Sequence, residues 1–221
     1  MVTYEEIAAM IDHSLLKPTL TDQDIIDGCN LAKEYKVASV CVRPSDLPLC
    51  RKILAGSDVL LTTVIGFPHG TTTTKTKAAE SAEAIENGAV ELDVVLNIGK
   101  LRSGEYDYVA DDLQAVIDLA HANNVLVKVI FENCYLSREE IIKACEICNK
   151  VGADYVKTST GYGTGGATDE DLKLMRQYAA PNIKIKAAGG VRTLERAIEV
   201  RKLGVTRFGC TATCGILERL K

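Results

Sequence analysis

The sequence predicts a closed (β/α)8 barrel with an extra helix at its N-terminus. Two observations carry this. Short apolar or β-branched runs alternate with helix-period segments eight times over 221 residues, at roughly 25–30 residues per unit. No Ser/Pro/Gly-rich linker or low-complexity stretch divides the chain, so 1–221 reads as one barrel domain. The rival architecture is an open doubly wound sheet, but no G-x-G-x-x-G follows the first strand.

The elements follow in order. "TYEEIAAM" predicts the extra N-terminal helix, and "IDHSL" at 11–15 the first strand. "TDQDIIDGCNLAKEY" opens on Thr21 and Asp22 as a helix should, before the second strand at 38–42. Strands three and four fall at 59–65 and 90–96, and strand five at 126–132. "SREEIIKACEICNK" then starts with Ser137 and places Glu140 three residues on, a capping box; Thr168 and Asp171 repeat the device. Strands six to eight lie at 154–158, 183–188 and 206–209.

Bulk chemistry narrows the function. The chain is 47% hydrophobic and 25% charged with a net charge of −4, which predicts no nucleic-acid surface. The acidic opening "MVTYEEIAAMIDHS" lacks the apolar core of a signal peptide, and no apolar run approaches the roughly 20 residues of a membrane span. A cytoplasmic protein is expected. The chain has eight cysteines without an export signal, so free thiols are expected rather than a disulfide framework. Cys145 and Cys148 form a C-x-x-C, yet with Ile141 they fall at i, i+4 and i+7 on one helix face, the spacing of core packing. Cys210 and Cys214 lack metal spacing, and His13, His69 and His121 are scattered, so no zinc site is expected. For His13 and His69 a structural hydrogen bond is the expected role.

Strand parity supplies the chemistry. Side chains alternate along a strand, so one set packs under the helices and the other fills the barrel. Leu92, Val94 and Leu96 go outward and send Glu91, Asp93 and Val95 inward. Val127, Val129 and Phe131 leave Lys128, Ile130 and Glu132 inside; Ile183 and Ile185 leave Lys184 and Lys186; Val156 leaves Lys157. A barrel interior is ordinarily apolar, and buried charges must pair. Glu91 with Lys128 or Lys184 is expected to form a structural ionic layer near the floor. Lys157 and Lys186 differ, because both end their strands just before glycine-rich loops, where barrel enzymes build active sites. A lysine attacks a carbonyl only when unprotonated, and burial beside a second ammonium lowers its pKa from about 10.4. Two lysines and Asp93 therefore suit Schiff-base chemistry. The loops "STGYGTGG", "AAGGVRT" and "GCTATCG" after strands six, seven and eight suit an anion. On pattern alone the alternatives are another lysine aldolase, such as a transaldolase-like enzyme, and a non-catalytic phosphosugar-binding barrel.

With "IDHSLLKP", "SVCVRP", "IGFPHG", "ELDVVLNIG", "KTSTGYGTGGAT" and "KAAGGVRT" in this order, the chain resembles the deoxyribose-phosphate aldolase family over essentially its whole length. The resemblance implies a class I aldolase without metal or other cofactor that reversibly cleaves 2-deoxy-D-ribose 5-phosphate to glyceraldehyde 3-phosphate and acetaldehyde. It implies Lys157 as the Schiff-base lysine, with Asp93 and Lys186 in proton transfer. Gly161, Gly189, Gly190, Arg192, Gly209 and Thr211 would hold the phosphate, with Asp12, Cys41 and Lys128 as neighbours of the site. A homo-oligomer, dimer or tetramer, is implied as well. Three features depart from family patterns: Cys210-Thr211-Ala212 stands where paired serines often occur, Tyr162 where some members carry lysine, and the final residues "LERLK" where some carry a tyrosine-ending tail. These bear on phosphate affinity and rate rather than on reaction type.

Parity along strand two sends Cys41 with Ser39 and Arg43 into the barrel. Nearby ammonium groups are expected to raise its thiolate fraction. An unsaturated aldehyde held on Lys157 would then bridge to it.

Overall fold

The computed structural model describes residues 2–221. Eight parallel strands close on themselves in chain order: β1 Ile11–Leu15, β2 Ser39–Val42, β3 Leu60–Ile65, β4 Glu91–Val95, β5 Leu126–Ile130, β6 Tyr155–Lys157, β7 Lys184–Ala188 and β8 Val205–Cys210, with β8 pairing back onto β1. Outside them run α1 Tyr4–Ala8, α2 Asp22–Glu34, α3 Leu47–Leu54, α4 Thr74–Glu86, α7 Arg138–Val151, α8 Asp169–Tyr178, α9 Leu194–Lys202 and α10 Thr213–Leu217. The β4–β5 connection holds two helices, α5 Ile98–Arg102 and α6 Tyr106–Ala122, where the pattern predicts one. This is the expected (β/α)8 barrel with its N-terminal helix.

Local chemistry explains why the helices start where they do. At α7, Ser137 Oγ accepts from Glu140 N–H at 3.3 Å while Glu140 Oε2 accepts from Ser137 N–H at 2.7 Å. Thr21 and Asp24 make the same reciprocal pair at α2. Thr168 accepts from Asp171 N–H at 3.1 Å, which supplies the first half of that device at α8.

The parity assignments hold for both faces of the sheet. Leu92, Val94, Leu96, Val127, Val129, Phe131, Val156 and Ile185 all belong to the apolar core between strands and helices. Glu91, Asp93, Lys128, Lys157 and Lys186 are buried inside the barrel. Two residues depart from the expected interior set. Arg43, just past the end of β2, is half-buried and turns to Asp46 and the connection after β1 instead of entering the barrel. Lys184 is the other. It begins β7 at the barrel's lower rim, is exposed, and rests its ammonium 5.5 Å above the Tyr155 ring. Parity gives the direction of a side chain but not its depth, and Lys184 lies one layer too low to be enclosed.

Cys145 and Cys148 are buried in the core on α7, and all eight cysteines are free thiols. No helix among the described residues is long and apolar enough to cross a membrane.

Candidate active site

Seven ionic side chains share the barrel interior. At the lower level, Glu91 accepts from Thr62 Oγ1 at 2.8 Å, from Lys128 Nζ at 2.5 Å and from both terminal nitrogens of Arg207 at 3.1 and 2.9 Å. Arg207, not Lys184, is thus the second cation on Glu91. Strand eight enters the alternation as a short polar run, and only the closed barrel shows where Arg207 points. Its Nε also donates to Asp12 Oδ1 at 2.6 Å, and Ser39 Oγ donates to the same oxygen at 2.8 Å.

One level up, Asp93 is the hub. Its Oδ2 accepts from Lys157 Nζ and from Lys186 Nζ, each at 2.6 Å, and its Oδ1 accepts from Lys128 Nζ at 3.0 Å. Lys186 also pairs closely with Asp12. Lys128 therefore joins the floor layer to the upper cluster rather than belonging to the floor alone.

The two strand-end lysines titrate in opposite senses. Burial disfavours the charge on Lys157; Asp93 opposes that, Lys186 reinforces it, and the pKa falls below the usual lysine value. Burial also disfavours charge on Lys186, but Asp12 and Asp93 together outweigh it and raise its pKa. Asp93 is held well below the ordinary carboxylate value because Lys128, Lys157 and Lys186 overcome its burial. Charge balance agrees: with Lys157 neutral, Lys128, Lys186 and Arg207 face Asp12, Glu91 and Asp93, three cations against three anions.

Cys41 faces the interior beside this cluster, as parity predicts, but its thiol is not activated. Burial and the Asp93 charge outweigh Lys186 and Lys157 and push its pKa up to about 11. His13 donates or accepts at Nδ1 with Thr213 Oγ1 at 2.9 Å, and burial drives its pKa down to about 4, so the ring is neutral. His69 is exposed near Tyr162, and His121 pairs with Asp154. No group of three His, Cys, Asp or Glu side chains among the described residues is arranged to hold a metal ion.

Above Lys157 opens a cavity of about 550 Å³. All six residues expected at the phosphate, Gly161, Gly189, Gly190, Arg192, Gly209 and Thr211, line it together with Lys157. The loops after β6 and β7 are joined by Ala167 N–H, which lies 3.0 Å from both Ala188 O and Gly189 O. At Gly189, with φ of 79°, a Cβ would stand 2.8 Å from Gly166 Cα, so side chains are shut out of this seam. Gly190, with φ of 93°, faces open space instead and leaves room for a ligand.

Several lining residues were not foreseen. Ser14, Leu16, Lys17, Pro18 and Thr19 bring the connection after β1 to the cavity, while Thr160 and Tyr162 line it from within the glycine-rich loop after β6 that was expected there. Glu132, with a left-handed backbone at φ 56°, accepts from Thr160 N–H at 3.2 Å and bonds its hydroxyl, holding that loop down. For the connection after β1 the only sequence signal was proximity to a strand end, whereas parity already sends Glu132 inward.

The profile of the DeoC/LacD family aldolases matches residues 7–209. Deoxyribose-phosphate aldolase of Rhodopirellula baltica is 52% identical over 214 residues, covering 97% of this chain and 89% of that relative. A solved structure from Coccidioides immitis superposes with a TM-score of 0.93 at 39% identity, covering 97% of this chain and 85% of the other. The deoxyribose phosphate aldolase of Aeropyrum pernix, described as tetrameric, superposes with a TM-score of 0.91 at 28% identity over 98% and 91% of the two chains. A sequence match of this extent, on a barrel whose mouth gathers paired lysines beneath a glycine-lined cavity, places the chain in the DeoC/LacD family of aldolases.

Proposed function

We propose that Lys157 is the imine-forming residue of a class I aldolase that reversibly cleaves 2-deoxy-D-ribose 5-phosphate to glyceraldehyde 3-phosphate and acetaldehyde. One observation carries the reading: two lysines meet on one oxygen of Asp93, and only Lys157 has its pKa lowered. A neutral amine is the nucleophile that carbonyl addition requires.

In the cleavage direction, the Lys157 amine adds to the substrate C1 carbonyl, and loss of water leaves an iminium. A base removes the C3 hydroxyl proton. The C2–C3 bond breaks, its electron pair neutralises the iminium as an enamine, and glyceraldehyde 3-phosphate leaves. Protonation of the enamine at C2 and addition of water then release acetaldehyde and the free amine. Asp93, ionised, and Lys186, charged, are the groups placed to accept and return these protons. The Gly161, Gly189, Gly190, Gly209, Thr211 and Arg192 wall receives the phosphate, which fits a cavity lined by cations and backbone rather than by carboxylates. No step calls on a metal or cofactor, in keeping with the class I chemistry of the family. The cytoplasm and a homo-oligomeric state complete the reading; the tetrameric Aeropyrum pernix relative supports the latter.

Borohydride reduction in the presence of acetaldehyde tests it. The expected adduct adds an ethyl group to Lys157, and activity before trapping withstands a chelator. An adduct on Lys186, or loss of activity with chelator, overturns the assignment. A sugar-phosphate sensor would bind substrate and trap nothing.

A further inference from the structure

The connection between β1 and α2 walls one side of the cavity without regular structure of its own, and side chains from elsewhere hold its carbonyls. Arg43, directly after β2, donates through Nη1 to Lys17 O at 3.2 Å and Pro18 O at 3.3 Å, and through Nη2 to Leu20 O at 3.2 Å. The same guanidinium grips Asp46 through Nε at 2.6 Å and Nη2 at 3.1 Å. From the opposite rim, the Tyr162 hydroxyl donates to Leu16 O at 2.8 Å. Serving three carbonyls and a carboxylate at once takes a planar fork of donors; a lysine ammonium has the charge but not the reach or geometry.

What this clip presents to the cavity is Lys17. It lines the same wall system as Arg192 and the glycine loops, and no aspartate or glutamate is among the lining residues. An exposed lysine on a free loop gains little from an anion, because ordering its stem offsets the attraction. A loop already pinned at four carbonyls has its backbone ordered beforehand, so that only the lysine stem remains to be ordered on binding.

We propose that Lys17 is a specificity-determining residue that adds a second cation, besides Arg192, to the phosphate site in the cavity both line, and that Arg43 with Asp46 is the positioning pair that presents it. The proposal rests on the phosphosugar reading above and extends it to the wall that the family resemblance does not assign.

Four variants test it: Lys17→Met, Arg43→Lys, the two combined, and Lys52→Met, at an exposed position on α3, as a charge-matched control. The first readout is the ratio of kcat/KM for 2-deoxyribose 5-phosphate to that for 2-deoxyribose. The second is binding of inorganic phosphate to the resting enzyme by calorimetry. Lys17→Met is expected to lower the ratio about five- to tenfold, through KM, and to weaken phosphate binding by a similar factor. Arg43→Lys keeps the charge but loses the fork, and is expected to give the same loss. The double variant should lose no more than Lys17→Met alone, because one residue acts through the other. The control keeps the parental ratio. A parental ratio in Lys17→Met, or equal losses on both sugars, overturns the role of Lys17. A parental ratio in Arg43→Lys overturns the clip. The two readings fail separately: phosphate binding that depends on Lys17 in a protein trapping no imine sinks only the aldolase assignment, while trapping on Lys157 with phosphate binding indifferent to Lys17 sinks only this proposal.

Discussion

Lys157 and Lys186 bond to the same oxygen of Asp93 at the same distance, 2.6 Å, yet their protonation preferences diverge. The difference is Asp12, which pairs with Lys186 and ranks first among the charges raising its pKa. A single carboxylate between two buried ammonium groups cannot neutralise both. With Asp12 committed to Lys186, the proton deficit falls on Lys157.

The first prediction follows from that division. Lys186→Met removes the neighbouring ammonium that lowers the Lys157 pKa and leaves Asp93 Oδ2 to Lys157, with Lys128 still on Oδ1, so the pKa of Lys157 rises. Since the neutral amine is the reactive form, the acid limb of imine formation moves to higher pH. The check is the rate of cyanoborohydride trapping against pH in parent and variant. A limb that stays in place, or moves to lower pH, means Lys186 does not set the nucleophile's protonation.

Asp93→Asn keeps the shape at the hub but removes the charge that three lysines share. It also takes away the expected proton acceptor. Turnover should fall by about 10²–10⁴, the scale of general acid–base assistance. Steady-state kinetics at saturating substrate measure it, with circular dichroism to establish folding. Near-parental turnover in a folded variant would make Asp93 a structural carboxylate.

How much of this was readable beforehand divides along physical lines. Alternation along β4 to β7 found the interior charges, because a charged residue amid β-branched neighbours has only two faces to choose from. It misplaced Lys184, since depth along the barrel axis depends on where strands begin and on their tilt. It also passed over Arg207, whose strand is flanked by few apolar markers. The glycine loops were legible through composition. The Arg43 clip, the Glu132–Thr160 bond and the Tyr162–Leu16 bond were not, because each joins residues far apart in the chain through a side chain and a loop carbonyl or hydroxyl. Such contacts leave no period in a sequence.

Acid stability should report on the same interior. Asp12 and Asp93 both sit below the ordinary carboxylate value of 3.8 in the folded protein, so their ionised forms favour folding. That contribution is complete well above 3.8 and is lost as pH falls below it through the folded-state values. Asp12→Asn leaves Lys186 and Arg207 under-compensated and should cost about 3–5 kcal/mol at pH 7, as breaking a buried ion pair does. Its loss on acidification should also be shallower than the parent's. Chemical denaturation at pH 7 and pH 3 measures both. Equal stabilities at pH 7 would mean that the remaining carboxylates take over the Asp12 charges.

The last prediction concerns Cys41. With its pKa near 11, this thiol is about one part in 10⁴ thiolate at pH 7, so it is quiet during ordinary turnover. It remains close enough to Lys157 and Lys186 for their charges to act on it. Two acetaldehyde molecules condensed and dehydrated on the enzyme give an α,β-unsaturated aldehyde. Held as an iminium on Lys157, that compound accepts sulfur at its β-carbon. The thiol proton passes to solvent, the new C–S bond forms, and the electron pair of the double bond neutralises the iminium as an enamine. Lys157 and Cys41 are then bridged. Concentrated acetaldehyde should therefore inactivate the enzyme slowly, and raising pH from 7 to 8 should speed the thiol step about tenfold as the thiolate fraction grows. Cys41→Met fills the space without a nucleophile and should resist, while the exposed Cys134 serves as a control thiol whose replacement changes nothing. Peptide mapping after inactivation locates the bridge. If Cys41→Met is lost as fast as the parent at both pH values, the buried thiol is not the target.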